Sequence, residues 1–136
     1  MTPLARLAGQ LLSVGFEGTT ADDELRARIA ASEVGGVMLF RPNIAGPGQL
    51  AGLVADLRGA APGDLPLLVS IDQEGGLVQR LRAIATDWPP MLAVGSGGDP
   101  QRTQQVVGRW ARSSRRWASA GTSRPCWMST RTRPTP

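Results

Sequence analysis

The sequence has no histidine, no lysine and no tyrosine, and holds a single cysteine, Cys126. One cysteine excludes an internal disulfide. Without a histidine the thiol lacks the partner that nucleophilic catalysis would need, and without a second thiol it lacks a metal-binding companion. Long hydrophobic runs are missing too: none approaches the roughly 20 residues of a membrane span. The N-terminal stretch MTPLARLAGQLLSVGF has neither the apolar core nor the small-residue cleavage site of a signal peptide. No membrane partner is expected, and the cytoplasm is the expected location. All 15 basic residues are arginine, a usage that points to a GC-rich gene.

Acidic residues are missing from one part of the chain. All 11 lie at or before Asp99, where seven arginines leave that stretch at −4, whereas residues 101–136 hold eight arginines and no acid, giving +8. The high pI therefore rests on the last 36 residues. A basic balance of this kind ordinarily hints at nucleic-acid or membrane binding.

The first hundred residues alternate apolar runs with amphipathic stretches. Residues 4–12 suggest a short helix running into a strand, LLSVGF. Thr20 with Asp23 resembles a capping box, and Leu25, Ile29 and Ala30 carry helical spacing towards a stop at Gly35-Gly36. GVMLF (36–40) is an apolar run without alternation, as in a strand buried on both faces. Leu50, Leu53, Val54 and Leu57 fall at i, i+3, i+4 and i+7, one face of a helix. LPLLVSI (65–71) reads as a second buried strand, ending at Asp72. Residues 87–100 read as loop, and 100–107 could open another helix. The order β-α-β-α-β argues for parallel strands in an α/β fold.

After about Arg109 the apolar periodicity stops. The segment holds three of the four tryptophans, Trp110, Trp117 and Trp127. It can be read as an Arg/Trp-rich nucleic-acid-binding tail, as a disordered extension, or as the product of a slipped reading frame. The genetic code favours the last. Shifted back by one nucleotide, Trp127-Met128-Ser129 reads Leu-Asp-Val when Ser129 has a TCN codon, and Trp110-Ala111 and Trp117-Ala118 each give a glycine. With wobble bases chosen, the shifted frame reads as a helix period, a buried strand DFAPVLDV and a Pro/Asn turn.

The strongest motif is Ile71-Asp72-Gln73-Glu74-Gly75-Gly76 followed by Gln79 and Arg80. A carboxylate at the C-terminal end of a buried parallel strand stands at the ligand-binding edge of α/β folds. The glycine pair permits a tight turn, and Arg80 offers a fork of donors to a hydroxyl, acetamide or carboxylate. The alternative is that Asp72 caps the next turn and Arg80 is its surface partner. Asn43, at the edge of the preceding strand, is expected to cap its loop. Glu74 is expected to accept from backbone amides of the turn, and Trp88 and Met91 to pack. Gly95-Ser96-Gly97-Gly98 follows no strand and is not a phosphate loop.

GQLLSVGFEGTT, GGVMLFRPNI and LLVSIDQEGGLVQRL, in that order, resemble the start of the β-N-acetylhexosaminidases of glycoside hydrolase family 3. The resemblance covers residues 7–107, and the shifted-frame DFAPVLDV is similar to the family's next block. It implies a (β/α)8 barrel that removes terminal β-linked N-acetylglucosamine, often from peptidoglycan fragments. It further implies that Asp72 hydrogen-bonds sugar hydroxyls in the −1 subsite and that Arg80 helps to bind the sugar. Leu77 departs from the pattern, since many relatives carry arginine there. Retaining glycosidases need a nucleophilic carboxylate and an acid/base group; the resemblance assigns these to an Asp-His pair and a later Asp, none of which falls within this chain. The expectation is thus an α/β fold: a partial TIM barrel of about three βα units over residues 1–109, and a disordered, out-of-frame tail over 110–136. Asp72 and Arg80 are its substrate-binding residues, with no catalytic residue, no metal and no cofactor. The partner is a small carbohydrate, an N-acetylglucosaminide, and no nucleic acid is expected. The half-open barrel is expected to be unstable and without glycosidase activity; a sugar-binding module without catalysis, or nucleic-acid binding through the basic tail, are the alternatives.

Overall fold

The computed structural model describes residues 2–82 and 84–118. It begins with α1 (Pro3–Gly9), capped by Thr2, whose hydroxyl accepts the Ala5 N–H at 3.3 Å, and opened by a proline that needs no donor there. Strand β1 (Ser13–Val14) follows. Helix α2 (Asp23–Ala30) is capped by Asp22, which accepts from Leu25 N–H at 2.7 Å, and not by Thr20. Asp23 and Glu24 in its first turn and Arg28 in its last suit the helix dipole. It stops before the Gly35-Gly36 pair, because Ser32 takes a positive φ of 60° and turns the chain. Gly36 itself opens the next strand, β2 (Gly36–Leu39).

A 3-10 turn (Arg41–Asn43) leads to α3 (Pro47–Gly59), whose Leu50, Leu53, Val54 and Leu57 are all buried, as their spacing requires. Strand β3 (Leu68–Ile71) follows. The three strands form one parallel sheet in the order β1-β2-β3, with Ser13 beside Gly36, Gly36 beside Leu68 and Leu39 beside Ile71. Sequential order with right-handed crossovers puts both helices on one face. Accordingly Leu25 and Ile29 of α2, the apolar face of α3, and Val37 and Leu39 of β2 share one core, with Val14, Val69 and Ile71 packed against it. Strand alternation turns Met38 and Ser70 to the opposite face.

That opposite face alters one expectation. β2 is buried along most of its length, but Leu68 of β3 is 40% exposed, so LPLLVSI is not buried on both sides. An apolar run reveals that a strand can be covered twice, not that it is.

Beyond β3 a short antiparallel hairpin, β4 (Gln73–Gly75) and β5 (Val78–Gln79), carries the acidic motif. Helix α4 (Met91–Gly95) occupies part of the expected loop over 87–100, and α5 runs from Pro100 to Ala118. The expected boundary at residue 109 falls within α5, which runs on through residues 110–118. Taken over its whole length α5 is amphipathic, a periodicity that the stretch after Arg109 does not reveal when read alone. The expectation for 119–136 lies outside the described residues. No helix among the described residues is long and apolar enough to cross a membrane.

Candidate functional site

Asp72 follows directly on Ile71, the last residue of β3, and so stands at the C-terminal end of the parallel sheet. The hairpin brings Arg80 back to it. The Arg80 N–H donates to the Asp72 carbonyl at 3.3 Å, and a guanidinium nitrogen, Nη2, lies 3.5 Å from Asp72 Oδ2. The two residues singled out from the sequence are thus a pair. Their side chains are 29% and 33% exposed, sheltered yet reachable from solvent. A long, part-exposed ion pair contributes little to stability. Arg80 Nε is buried and has no hydrogen-bond acceptor among the described residues. A buried donor without a partner carries a desolvation cost of about 1–3 kcal/mol.

The hairpin is held by its glutamines. Gln73 and Gln79 are buried. Gln73 Oε1 accepts the Leu81 N–H at 3.1 Å. Gln79 Oε1 accepts the Trp88 N–H at 2.8 Å, and its Nε2 donates to the Gly76 carbonyl at 3.1 Å. Gly76 N–H in turn donates to the Trp88 carbonyl at 2.8 Å. The stretch Trp88-Pro89-Pro90 is therefore strapped across the turn. The approach demands both glycines: Gly75 and Gly76 have φ of 89° and 62°, and a Cβ on either would collide with Pro89 or Pro90. From α5, the Trp110 indole N–H donates to the Gln73 carbonyl at 3.0 Å.

Asn43 caps its loop and does more. Fully buried, it accepts the Phe40 N–H at 2.8 Å and donates to the carbonyls of Phe16 and Gly18 at 2.9 and 2.8 Å. It ties the loop after β1 to the loop after β2, on the same edge of the sheet as Asp72. Gln49 extends the tie, donating to the Thr19 and Asn43 carbonyls at 2.6 and 3.1 Å. Glu74 differs from expectation: it is exposed, and its carboxylate accepts no hydrogen bond among the described residues. Of the turn's amides, that of Gly76 is bonded to the Trp88 carbonyl instead. Gln73, Gln79 and Gln49 were not identified as structural residues from the sequence; the one available signal was that Gln79 lies inside the D-x-E-G-G-x-V-Q-R run. No group of three or more His, Cys, Asp or Glu gathers as metal ligands among the described residues.

Fold and site together define a parallel α/β domain that presents a carboxylate–guanidinium pair at the C-terminal ends of its strands. The chain belongs to the glycosyl hydrolase family 3 N-terminal domain family, whose model matches residues 4–117. It is 38% identical over 103 residues to a β-hexosaminidase of Stenotrophomonas maltophilia, covering 74% of this chain and 30% of that protein. The structure of a glycoside hydrolase family 3 β-N-acetylglucosaminidase from a Paenibacillus species is similar with a TM-score of 0.69 and 39% identity, over 83% of this chain and 22% of that one. NagZ from Neisseria gonorrhoeae, solved in complex with N-trifluoroacetyl-D-glucosamine, shares the fold with a TM-score of 0.70 over 81% of this chain and 32% of its own, at 24% identity. The chain spans under a third of the length of each of these relatives.

Proposed function

We propose that this chain is the opening part of a (β/α)8 barrel whose whole protein hydrolyses terminal β-linked N-acetylglucosamine, in peptidoglycan fragments among other substrates. Asp72 and Arg80 hold the sugar. The observation that carries the reading is the paired Asp72 carboxylate and Arg80 guanidinium at the strand ends, with a buried Arg80 Nε lacking an acceptor. A sugar hydroxyl can donate to Asp72, and a hydroxyl or acetamide oxygen can accept from Arg80. Sequential strand order with α2 and α3 on one face fits the opening of a barrel and equally one half of a doubly wound sheet; the family match favours the barrel. The face away from α2 and α3 then corresponds to a barrel interior.

Catalysis belongs to other residues. The chain contains no histidine to form an Asp-His acid/base pair. The 136-residue chain is therefore expected not to hydrolyse a chromogenic β-N-acetylglucosaminide; clean turnover would contradict the assignment of catalysis elsewhere. The direct test of the site is a titration of the chain with N-acetylglucosamine, followed by NMR. Saturable binding is expected of the chain held folded despite its open barrel edge, weakened about tenfold or more in Asp72→Ala, as loss of a hydrogen bond to a charged group implies. Equal binding by the variant would refute the assignment.

The change of composition after about residue 109 belongs to the same reading: a frame slip replaces the next strand with an arginine-rich sequence. Sequencing the gene around codon 109 tests it. An intact frame with the same tail in the genes of close relatives would remove the idea.

A further inference from the structure

The β4–β5 hairpin is out of step with its own turn. Gly75 faces Val78, yet Gln73 faces Gln79, so two residues pass on β4 while one passes on β5. Glu74 is the extra residue of a β-bulge. Counted back from the turn without the bulge, Glu74 would face Gln79, Gln73 would face Arg80 and Asp72 would face Leu81. Opposed residues share a face of the ladder and successive residues alternate, so Arg80 would then lie on the face away from Asp72. With the bulge, the Arg80 N–H meets the Asp72 carbonyl at 3.3 Å, and the guanidinium lies 3.5 Å from the carboxylate. The extra residue thus decides which side chain returns to Asp72.

A bulge disrupts the ladder locally and needs another contact to hold it. The Leu81 N–H supplies the donor: it is bonded to a side chain, Gln73 Oε1, at 3.1 Å. Gln73 follows Asp72 in the chain, as Leu81 follows Arg80. One buried side chain therefore joins the residues just past each member of the pair. Leu81 is only 3% exposed and belongs to the core, which anchors the far end of the tie. Resting on the carbohydrate reading above, we propose that Gln73 is a positioning residue for the sugar site. Its bond to the Leu81 amide locks the bulge at Glu74, and so presents Arg80, and not Leu81, to a sugar held by Asp72.

The test reads cross-strand NMR contacts of Asp72 beside N-acetylglucosamine affinity, in the 136-residue chain, in Gln73→Met, and in Gln73→Met combined with deletion of Glu74. Methionine has a similar length and suits a buried position, but its thioether is only a weak acceptor for the Leu81 N–H. Gln73→Met is expected to lose the Asp72–Arg80 contact and to bind the sugar about tenfold more weakly, with the α3 core still protected from amide exchange. Deleting Glu74 as well removes the extra residue, so that the plain ladder itself pairs Asp72 with Arg80. The double variant is therefore expected to recover both contact and affinity, which a role in stability alone would not produce. Retention of contact and affinity in Gln73→Met overturns the proposal, and so does a double variant that fails to recover them. Lost α3 protection in Gln73→Met, unrestored in the double variant, also overturns it, because Gln73 would then support the core. A wild type that shows the contact yet binds no sugar refutes the carbohydrate reading instead, and leaves Gln73 a register lock without a ligand.

Discussion

Asn43 is a polar side chain held entirely inside the protein, and its amide uses both ends. One oxygen takes a backbone N–H, and one nitrogen serves two carbonyls from a different loop. Replacing it with alanine leaves those groups buried without partners. Asn43→Ala should therefore lose about 2–3 kcal/mol of stability, read as a lower urea midpoint at unchanged slope. Arg26 behaves otherwise. Its bonds to Asp23 and Asp56 hold the guanidinium above its ordinary pKa, but it lies at the surface, and Arg26→Ala should change the midpoint little. At this scale the site was partly legible. Asp72 could be placed because a strand of apolar residues ends there, and Arg80 because it completes a specific motif. Gln73 and Gln79 could not, because a glutamine's burial depends on which distant backbone groups arrive beside it. Here these are the Leu81 and Trp88 amides.

Among the elements, α3 was the most legible. Four apolar residues at helical spacing leave one way to bury them, and Leu57 is fully buried. Leu57→Ala should cost about 2–5 kcal/mol by cavity formation, measured by thermal or urea unfolding. The start of α2 was less so. Thr20 and Asp22 both make good caps; Asp22 takes the role because the turn it opens buries Leu25 and Ile29 together. The hairpin depends on glycine most of all. Gly76→Ala would force a Cβ into Pro90 and strain a positive φ. Faster proteolysis between residues 73 and 90, with the α3 core still protected from amide exchange, is the expected result. An unchanged protease pattern would mean that the strap does not organise the turn.

Over the whole molecule, two asymmetries stand out. Both helices that connect the strands cover one face of the sheet, and exposed Leu68 and Phe40 lie on the side away from them. The sequence could not reveal this, since apolar runs report capacity for burial and not the presence of a cover. Charge is also divided, with every acid at or before Asp99. Exposed Arg102, Arg109 and Arg112 on α5 would give DNA affinity with a steep salt dependence if the basic segment were functional. The sugar-binding account expects no specific DNA complex at physiological salt. The most direct measurement is a ¹⁵N chemical-shift map of the chain titrated with N-acetylglucosamine. The account predicts saturable shifts concentrated at the Arg80 side-chain Nε–H and the backbone amides around Asp72. No shift there, or shifts confined to α5, would contradict it.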